Sequence, residues 1–578
     1  MNIDFVSDHF EITGPFSELE ALRAIPLRTW CADKQRWIAP RTQANIEYLQ
    51  KWSSGASPRA KSVLSAIPVP SIPDLPPDFR FKTQPYPHQL EALRRGLGQR
   101  AFALAMEPGT GKSKVLIDDV VATKMPQAAI VCPNSITTNW LDEIDIHSSA
   151  ENDVHIYDPL KKKQAETWIS HFTSAKAGVK WFIIAAESLS SGDGWKYLEA
   201  FLRARPTALL VDESTRFKTP KASRTKKLID LAPLAARTRL ASGTMLTRGI
   251  QDAWSQFEIL DPQILNMSYY PFRNHFCIMG GFKSKVIVAN KNERDFIDLT
   301  APYIYMATKA ECLDLPKKVY QVRHVKPSPE QERLYMELAT KGLAESADGC
   351  TSYTNALVRD LRLQQIAGGF ISVSPDLAPP PNMDISDFLA ALEDGTVPAV
   401  GEGAEPDVLR PVAGANAKLE ELKAILDDCG SKVIIWCRFR PEIAAVAQTL
   451  AAEHGRASVV EFHGGIDSEN RAVNRRRFQD DPKCRFFVGQ VNTGGIGITL
   501  TAADTAIYFS NSFSLEDRIQ SEDRCHRIGQ KAKSVTYIDL VMGPSTWIDA
   551  KVLQALREKR DYTSAVMDEI HRATKKYG

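Results

Sequence analysis

Two long stretches of the chain alternate short apolar runs with segments of helical periodicity. In the first stretch, from Tyr86 to about Pro262, the apolar runs end in polar clusters, as in AIVCPNS, FIIAAES, ALLVDES and RLASGT. The same pattern returns after Lys418. Short apolar strands that alternate with helices are typical of a parallel α/β sheet, and ligands bind at the carboxyl ends of its strands. The pattern therefore predicts two α/β lobes, each with its polar clusters along one edge of a parallel sheet.

The remaining segments predict smaller units around these lobes. A hairpin pattern with Trp30 and Trp37 lies between two short helical stretches, which indicates a small α+β module. A Ser- and Pro-rich run follows it, as in an extended linker. Asp376 to Asp407 contains eight acidic residues and no basic one, which is typical of a flexible surface insertion. The predicted organisation is a module at 1–52, a linker at 53–80, lobe 1 at 81–262, a helical insertion at 263–374, an acidic insertion at 375–414, lobe 2 at 415–545 and a C-terminal helix at 546–578.

Composition limits the classes of function. The 578 residues include 72 Lys+Arg and 70 Asp+Glu, a formal charge of +2, so binding to a polyanion has to depend on local charge. The nine cysteines form no C-x-x-C pair that would indicate zinc or a redox site. No run approaches the ~18 apolar residues of a membrane span, and the N-terminus lacks a signal-peptide core. We expect a cytoplasmic, nucleoid-associated monomer with no membrane partner.

A candidate phosphate-binding loop follows the apolar run AFALAM and precedes a helical stretch. Glycines there let backbone N–H groups approach phosphate oxygens, Lys112 would pair with the β and γ phosphates, and the Ser113 hydroxyl would ligate Mg²⁺. Met106 stands where the full motif has its first glycine, and a capped surface loop is the alternative interpretation. The expected nucleotide contacts are Gly109, Thr110, Gly111, Lys112 and Ser113.

Two further clusters complete the predicted catalytic set. Asp212 and Glu213 follow the buried run ALLV, so one carboxylate is placed to hold Mg²⁺ and the next to activate water. Arg524 and Arg527 follow the second-lobe run TAIYFS, from where they would reach the γ-phosphate across a lobe interface. Taken singly, the acidic pair is also typical of a solvated strand terminus, and the two arginines are also typical of an ordinary basic helix face.

In order, the chain carries PYPHQLEALRR, EPGTGKS, IVCPNSITTNW, FIIAAES, VDESTRFK, ASGTMLT, KVIIWCRFRPE, EFHGGIDSENR, TGGIGITLTAADT and QSEDRCHRIGQ. This set resembles superfamily two helicases, and HRIGQ, ILDP, LDLPKKVYQV and LRLQQI resemble the Swi/Snf-type branch. The resemblance covers roughly Lys82 to Val541. It implies two RecA-like lobes that share one ATP with Mg²⁺, and an ATPase that moves on DNA.

The resemblance also implies roles for individual residues. Gln89 would read the adenine, and Gly495 and Gly497 would face both nucleotide and strand. Thr244 and Gln530 would couple hydrolysis to lobe motion. In the DEAH-like box, Ser214-Thr215 replaces the usual Ala-His. In the second lobe, Phe513 replaces a frequent Trp. Neither change removes an atom needed for hydrolysis. The matching DNA-contact positions are Pro133, Ser135, Asn139, Arg438, Gly464, Asn492 and Thr493.

Two other features point towards DNA. FEITGPFSELEALRAIPLRTWCADKQRWIAP is similar to the HARP-type module of annealing helicases, which implies recognition of branched or forked DNA; a mere small core is the alternative. Residues 216–239 contain eight basic residues and one acidic residue, which predicts a phosphate-contacting face, with a solvated helix as the alternative.

The leading hypothesis is a Swi/Snf-type translocase on duplex or forked DNA that acts in replication, recombination or repair. Its rivals are a strand-separating DNA or RNA helicase and a catalytically silent DNA-binding scaffold. The presence of Lys112, Asp212, Glu213 and Arg527 argues against the scaffold. No further regulatory module is left over, so chromatin remodelling is not expected.

Overall fold

The structure, a computed structural model, divides the chain into two compact units. Unit 1 comprises Met1–Cys312 and Asp561–Gly578, and unit 2 comprises Leu313–Arg560. Most of the predicted acidic insertion and half of the predicted Pro-rich linker lie outside the described residues. The described residues are 1–6, 9–25, 28–31, 35–40, 43–57, 60, 73–170, 178–190, 192–280, 286–313, 315–341, 343–346, 349–352, 356–372, 409–491 and 498–575.

The N-terminal residues of unit 1 form a small antiparallel sheet with two helices, Leu19–Arg23 and Gln43–Gln50. Strand β3 pairs with β4, with Trp30 opposite Trp37, which confirms the predicted hairpin. Phe10, Ile12 and Leu49 are buried in a core that belongs to this module. A folded α+β module therefore opens the chain. Its strands, in the sheet order β1-β2-β4-β3, are β1 (Asn2–Val6), β2 (His9–Thr13), β3 (Thr29–Cys31) and β4 (Arg36–Pro40).

A parallel sheet of seven strands forms the centre of unit 1. These strands are β5 (Ala101–Met106), β6 (Gln127–Cys132), β7 (Glu151–Ile156), β8 (Gly178–Ala185), β9 (Thr207–Asp212) and β10 (Arg237–Ala241), and after the separate hairpin β11 (Cys277–Gly280) and β12 (Val286–Asn290), β13 (Ile304–Ala307). Their order is β13-β5-β10-β9-β6-β8-β7, and all neighbouring pairs are parallel. Strands β5 and β6 are buried at every residue, which explains their continuous apolar runs.

Within the described residues, the remaining helices of unit 1 precede, separate or follow the strands of this sheet. They are Pro87–Leu97, Lys112–Ala122, Asn139–His147, Lys162–Ser170, Gly194–Ala204, Ser223–Leu231, Ala253–Leu260, Pro262–Leu265, Tyr269–Phe276, Glu293–Thr300 and Lys309–Cys312.

Unit 2 is built on a second parallel sheet, of six strands. Its segments are β14 (Lys317–Val325), the hairpin β15 (Leu343–Ser346) and β16 (Gly349–Ser352), the pair β17 (Phe370–Ser372) and β18 (Leu409–Pro411), and β19 (Lys432–Cys437), β20 (Val459–Phe462), β21 (Phe486–Gln490), β22 (Ala503–Tyr508) and β23 (Ser534–Met542). The sheet order is β14-β23-β22-β19-β21-β20. Two parallel-sheet α/β lobes are thereby confirmed.

The helices of unit 2 follow the same alternation. Within the described residues, none of the helices of either unit is long and apolar enough to cross a membrane. The helices that begin in unit 2 are Pro329–Lys341, Ala356–Ala367, Ala417–Asp428, Arg440–His454, Ser468–Asp480, Leu515–Glu522 and Ile548–Thr574.

The segment predicted as a helical insertion, 263–374, also contributes a strand to each sheet. Strand β13 adds to the edge of the unit 1 sheet beside β5, and β14 adds to the edge of the unit 2 sheet beside β23. The four apolar residues of β13 are too few to distinguish a strand from a helical turn. Much of β14 is exposed, so it lacks the apolar run of an internal strand. Both segments therefore form strands because they pair with strands that are distant in the sequence.

At the amino edge of the unit 1 sheet, three charged side chains form a buried cluster. Arg239 Nη2 donates to Asp119 Oδ1 (3.0 Å) and Arg237 Nε donates to Asp119 Oδ2 (3.1 Å). Burial would raise the pKa of the Asp119 carboxyl, but the two arginines hold it below its usual range. Burial lowers the pKa of Arg239 to about 10. Both arginines also donate to the Gly96 carbonyl, so they fix this edge of the sheet.

This cluster corrects the prediction of one phosphate-contacting face over residues 216–239. Arg237 and Arg239 begin strand β10, at the edge opposite to the polar strand ends, and Arg239 is 1% exposed. They provide internal ion pairs instead of a DNA surface. The basic residues left for such a surface follow β9.

We expect Asp119→Asn to destabilise unit 1 by about 3–5 kcal/mol, because it leaves two buried guanidinium groups without an anion. Urea unfolding of the full chain measures the loss, with Asp230→Asn as the control because Asp230 is exposed. Equal stability of the two variants would show that the cluster does not support the sheet.

Candidate functional site

The loop between β5 and the helix Lys112–Ala122 has the geometry of a phosphate-binding turn. Gly109 and Gly111 both adopt a φ of 87°, which glycine adopts without strain. A Cβ at Gly111 would lie 2.0 Å from Gln89 Nε2, so a larger residue does not fit there. The Lys112 ammonium donates to the Met106 carbonyl (2.9 Å). The loop thus combines a helix N-terminus with an ammonium group, as a polyphosphate requires.

Gln89 is buried against this loop. Its amide nitrogen donates to the Thr110 carbonyl (3.0 Å), and its amide oxygen accepts from the Tyr86 N–H (3.0 Å). The His88 ring donates from Nε2 to the same Thr110 carbonyl (2.8 Å). These bonds fix the Gln89 amide beside the loop. The Thr110 hydroxyl donates to the Glu107 carbonyl (2.7 Å), so it stabilises the turn itself.

The two predicted carboxylates end strand β9 at the same edge. Burial raises the pKa of Asp212, while the Lys112 ammonium and hydrogen bonds from the Glu213 N–H and the Trp140 indole act in the opposite direction. The Glu213 N–H donates to Asp212 Oδ1 (3.0 Å). Glu213 itself has φ 51° and ψ 55°, a left-handed conformation that costs on the order of 1 kcal/mol and is common at functional sites. The structure therefore brings Lys112, Asp212 and Glu213 together.

Ser242-Gly243-Thr244, the SGT segment, follows β10 and packs directly on the phosphate loop. A Cβ at Gly243 would lie 2.5 Å from Pro108 Cδ, so only glycine allows this approach. Within the segment, the Thr244 N–H donates to Ser242 Oγ (3.2 Å). Thr244, predicted to couple hydrolysis to motion, thus lies beside the nucleotide loop.

Gln256 is a residue that sequence reasoning missed. It is fully buried and accepts from the Ser214 hydroxyl (2.7 Å), while its amide nitrogen donates to the Met245 carbonyl (2.8 Å). It therefore joins the loop that carries Glu213 to the loop that carries Thr244. The sequence gives no distinctive signal for it, since the helix AWSQFEIL also contains the polar residues Ser255 and Glu258.

Three predicted DNA-contact residues of lobe 1 follow β6, at this same edge. Pro133 is buried, Ser135 is exposed, and Asn139 begins the helix Asn139–His147. The next residue, Trp140, is 2% exposed and donates to Asp212. The segment predicted to contact a DNA strand is therefore hydrogen-bonded to Asp212, one of the two predicted catalytic carboxylates.

In unit 2, Arg438 and Gly464 follow the ends of β19 and β20, and Gly464 is exposed. The Arg438 N–H donates to Ser510 Oγ (2.8 Å) and to Glu442 Oε2 (3.2 Å), and its guanidinium bonds to Gln364. Burial raises the pKa of Glu442. The other lobe 2 positions predicted to contact nucleotide or DNA lie outside the described residues: Asn492, Thr493, Gly495 and Gly497.

The two predicted catalytic arginines differ in their surroundings. Arg524 is 6% exposed and donates to the carbonyls of Gln520 (2.8 Å) and Ile498 (3.2 Å). Arg527 is partly exposed and donates to Thr499 Oγ1 (2.9 Å). The structure thus shows Arg524 bonded to two backbone carbonyls of its own unit, and its assignment as a catalytic arginine stays a prediction. Arg527 is the more exposed of the two candidates for contact with phosphate.

Gln530 also holds the arginine segment in place. Its amide nitrogen donates to the carbonyls of Ala503 (2.7 Å) and Cys525 (3.0 Å). Its amide oxygen accepts from the Ala532 N–H (3.0 Å). The predicted coupling residue therefore fastens the HRIGQ loop to the start of β22.

A buried carboxylate anchors the helix that precedes these arginines. Glu522 is 1% exposed and accepts from Tyr320 (2.8 Å), Arg518 (2.9 Å), Arg560 (2.7 Å) and Lys318 (3.2 Å). Burial opposes its ionisation, but Lys318, Arg518 and Arg560 hold its pKa well below the usual range. Strand β14 and Arg560 are thereby fixed to the helix Leu515–Glu522.

No protein-only metal centre stands out in the described part of the chain, where no group of three or more His, Cys, Asp or Glu residues is placed to hold an ion. The oxygens that would serve Mg²⁺ are those of Ser113 and Asp212, together with those of a bound nucleotide. This donor set suits Mg²⁺, which usually takes one or two carboxylates and substrate phosphates.

Comparison with known proteins gives relatives at low identity. An uncharacterized ATP-dependent helicase of Mycoplasma genitalium is 24% identical over 83% of this chain and 42% of its own length. The ATP-dependent DNA helicase DDM1 of Arabidopsis thaliana is 24% identical over 69% of this chain and 50% of its own length. The chain thus spans half or less of either relative. The Sulfolobus solfataricus SWI2/SNF2 ATPase core in complex with dsDNA aligns with a TM-score of 0.35 and 19% identity, over 85% of this chain and 95% of that one.

Family profiles cover most of both units. The SNF2-related domain matches residues 36–368, and the helicase conserved C-terminal domain matches residues 417–529. The first match alone covers more than half of the chain, and it includes the phosphate loop, the carboxylate pair and the SGT segment. The chain therefore belongs to the SNF2-related family of helicase-like proteins.

Proposed function

We propose that this protein is a DNA-dependent ATPase of Swi/Snf type that hydrolyses ATP to move on duplex or forked DNA. The observation that carries the proposal is the meeting of the Lys112 loop, Asp212, Glu213 and the SGT segment at one edge of the unit 1 sheet. Each of these groups has a distinct task in phosphoryl transfer. The strained backbone at Glu213 favours this proposal over a catalytically silent scaffold, because such strain is common at functional sites.

In this proposal the described residues divide the chemistry among themselves. Gly109, Gly111 and Lys112 bind the phosphates, and Ser113 with Asp212 would hold Mg²⁺, which neutralises phosphate charge when bound. Glu213 orients the attacking water and accepts its proton. Arg527 of unit 2 stabilises the negative charge that develops on the transferred phosphoryl group.

DNA contacts are proposed at the strand ends of both units. Ser135 and Asn139 in unit 1, and Arg438 and Gly464 in unit 2, follow parallel strands and include exposed positions. Contacts of this kind reach phosphate and sugar, so binding would not depend on sequence. The relative named as a DNA helicase supports DNA as the polymer. Pro133, Asn492 and Thr493 complete the proposed set.

The N-terminal module is proposed to direct the motor to forks. Its strands and helices share a hydrophobic core, which supports a folded module at these residues. Its resemblance to the HARP-type module supports a preference for branched DNA, in fork reversal or strand annealing during replication, recombination or repair. The proposed setting is a monomer in the cytoplasm, on the nucleoid of a bacterial or phage-infected cell.

We expect Lys112→Ala and Arg527→Ala each to reduce DNA-stimulated ATP turnover by at least about 100-fold, because each removes a cation that stabilises transferred phosphate charge. Arg524→Ala is the matched comparison, and it should lower the unfolding free energy by about 1–3 kcal/mol by leaving two buried carbonyls unsatisfied. Steady-state turnover and urea unfolding measure both effects. Retained turnover in both Lys112→Ala and Arg527→Ala would rule out the site assignment.

ATPase activity on a panel of nucleic acids separates the translocase from its rivals. Linear and forked duplexes should stimulate turnover more than single-stranded DNA or RNA of equal length, and the forked duplex should give the lowest half-maximal concentration. Stimulation by single strands or RNA alone would favour a strand-separating helicase. Absence of turnover on every substrate would favour the scaffold.

A further inference from the structure

Arg248 is an exposed arginine whose guanidinium is held by a buried carboxylate. Its Nε and Nη2 lie 2.8 Å and 2.6 Å from Asp252 Oδ1, and its side chain is 48% exposed. Asp252 is completely buried, and its Oδ2 also accepts from the N–H groups of Thr247 (3.1 Å) and Arg248 (2.8 Å). Within the described residues, Nη1 has no hydrogen-bond or ion-pair partner. The ion pair with Asp252 thus fixes the orientation of the guanidinium and leaves Nη1 able to donate to a ligand.

The position of Arg248 places it with other basic groups at the carboxyl edge of the unit 1 sheet. It follows β10 by seven residues and lies four residues after Thr244 of the SGT segment. From the loop after β9, Lys218 donates to Thr247 Oγ1 (3.0 Å). Arg216, from the same loop, bonds to Glu187 (3.0 Å), which also accepts from the Asn134 N–H (3.2 Å). These contacts connect Arg248 to the strand-end loops that carry the proposed DNA contacts.

A chain of buried hydrogen bonds connects Arg248 to the catalytic loop. Gln256 donates to the carbonyls of Asp252 and Met245, both at 2.8 Å, and accepts from Ser214 Oγ at 2.7 Å. Ser214 is the residue after Glu213. Asp252, Gln256 and Ser214 are each no more than 1% exposed. Buried hydrogen bonds of this kind are costly to break. The loop that contains Ser214 and the loop that contains Met245 and Arg248 therefore have to move together.

We propose that Arg248 binds a phosphate of the DNA backbone and that Asp252 and Gln256 transmit this contact to the loop of Glu213. An arginine that is already oriented loses little side-chain entropy on binding phosphate. A shift of Arg248 towards DNA pulls on Thr247 and Met245, and through Gln256 on Ser214. DNA binding would thereby adjust the carboxylate that activates water. This inference deepens the proposed DNA-stimulated ATPase and rests on it.

The binding step is tested with Arg248→Gln in the full chain, by fluorescence anisotropy on a duplex of random sequence across a salt series. We expect the Kd to rise by about 3- to 10-fold and the slope of log Kd against log salt to fall by about 1, as for loss of one phosphate contact. The matched control is Arg203→Gln, since Arg203 is 61% exposed but lies just before β9, at the opposite edge. An unchanged Kd and slope for Arg248→Gln would overturn the assignment.

The coupling step is tested with Ser214→Ala against Ser255→Ala. Both serines are buried and both hydroxyls bond across the same helix and loop, but Ser255 donates to the Phe217 carbonyl (2.6 Å), away from Glu213. We expect Ser214→Ala to reduce the DNA-stimulated kcat by at least about 5-fold at unchanged DNA Kd, and Ser255→Ala to retain it. Adding Ser214→Ala to Gln256→Leu should cause no further loss, because Gln256→Leu has already removed the hydrogen bond that Ser214→Ala removes.

The outcomes separate this inference from the function on which it rests. Equal losses of kcat in Ser214→Ala and Ser255→Ala would show a general structural effect and overturn the coupling. If wild-type turnover responds to DNA but Arg248→Gln binds normally, this inference fails and the proposed function stands. If the wild-type protein neither binds duplex DNA nor responds to it, both fail together.

Discussion

Parallel alignment of the strands is the constraint on which the rest of the structure depends. Because every strand of the unit 1 sheet runs in the same direction, the loops after β5, β6, β9 and β10 all leave from one edge. That edge collects the phosphate loop, the carboxylate pair and the SGT segment. The opposite edge carries the Asp119 cluster, whose ion pairs with Arg237 and Arg239 hold the sheet at its other end.

The two units contribute unlike groups to the proposed reaction. Unit 1 has the phosphate loop and the carboxylates; the Trp140 indole bonds to Asp212, and Gln256 bonds to Ser214, the residue after Glu213. Unit 2 has the arginine segment, in which Arg524 and Gln530 brace the loop and Arg527 is left partly exposed. In the proposed function, DNA bound at the strand-end loops would act on the proposed catalytic groups through these hydrogen bonds.

The sequence predicts the strands of the two sheets and the polar clusters at their ends well, because apolar runs and polar clusters are local signals. It does not predict β13 and β14, since edge strands are short or exposed and their pairing is decided by tertiary contacts. It also assigns Arg239 to a DNA surface, because a count of charges cannot show that Asp119, 120 residues earlier, neutralises it. Gln256 has no local signal for its role, which depends on a partner 42 residues away.

ATP-driven movement along duplex DNA is tested most directly by displacement of a triplex-forming strand. The full chain is added to a duplex that carries a bound third strand, with ATP or with a slowly hydrolysed analogue. The account predicts release of the third strand with ATP and not with the analogue, because a protein that moves along the duplex displaces the third strand bound to it. A third strand that stays bound while the same duplex stimulates ATP hydrolysis would contradict it.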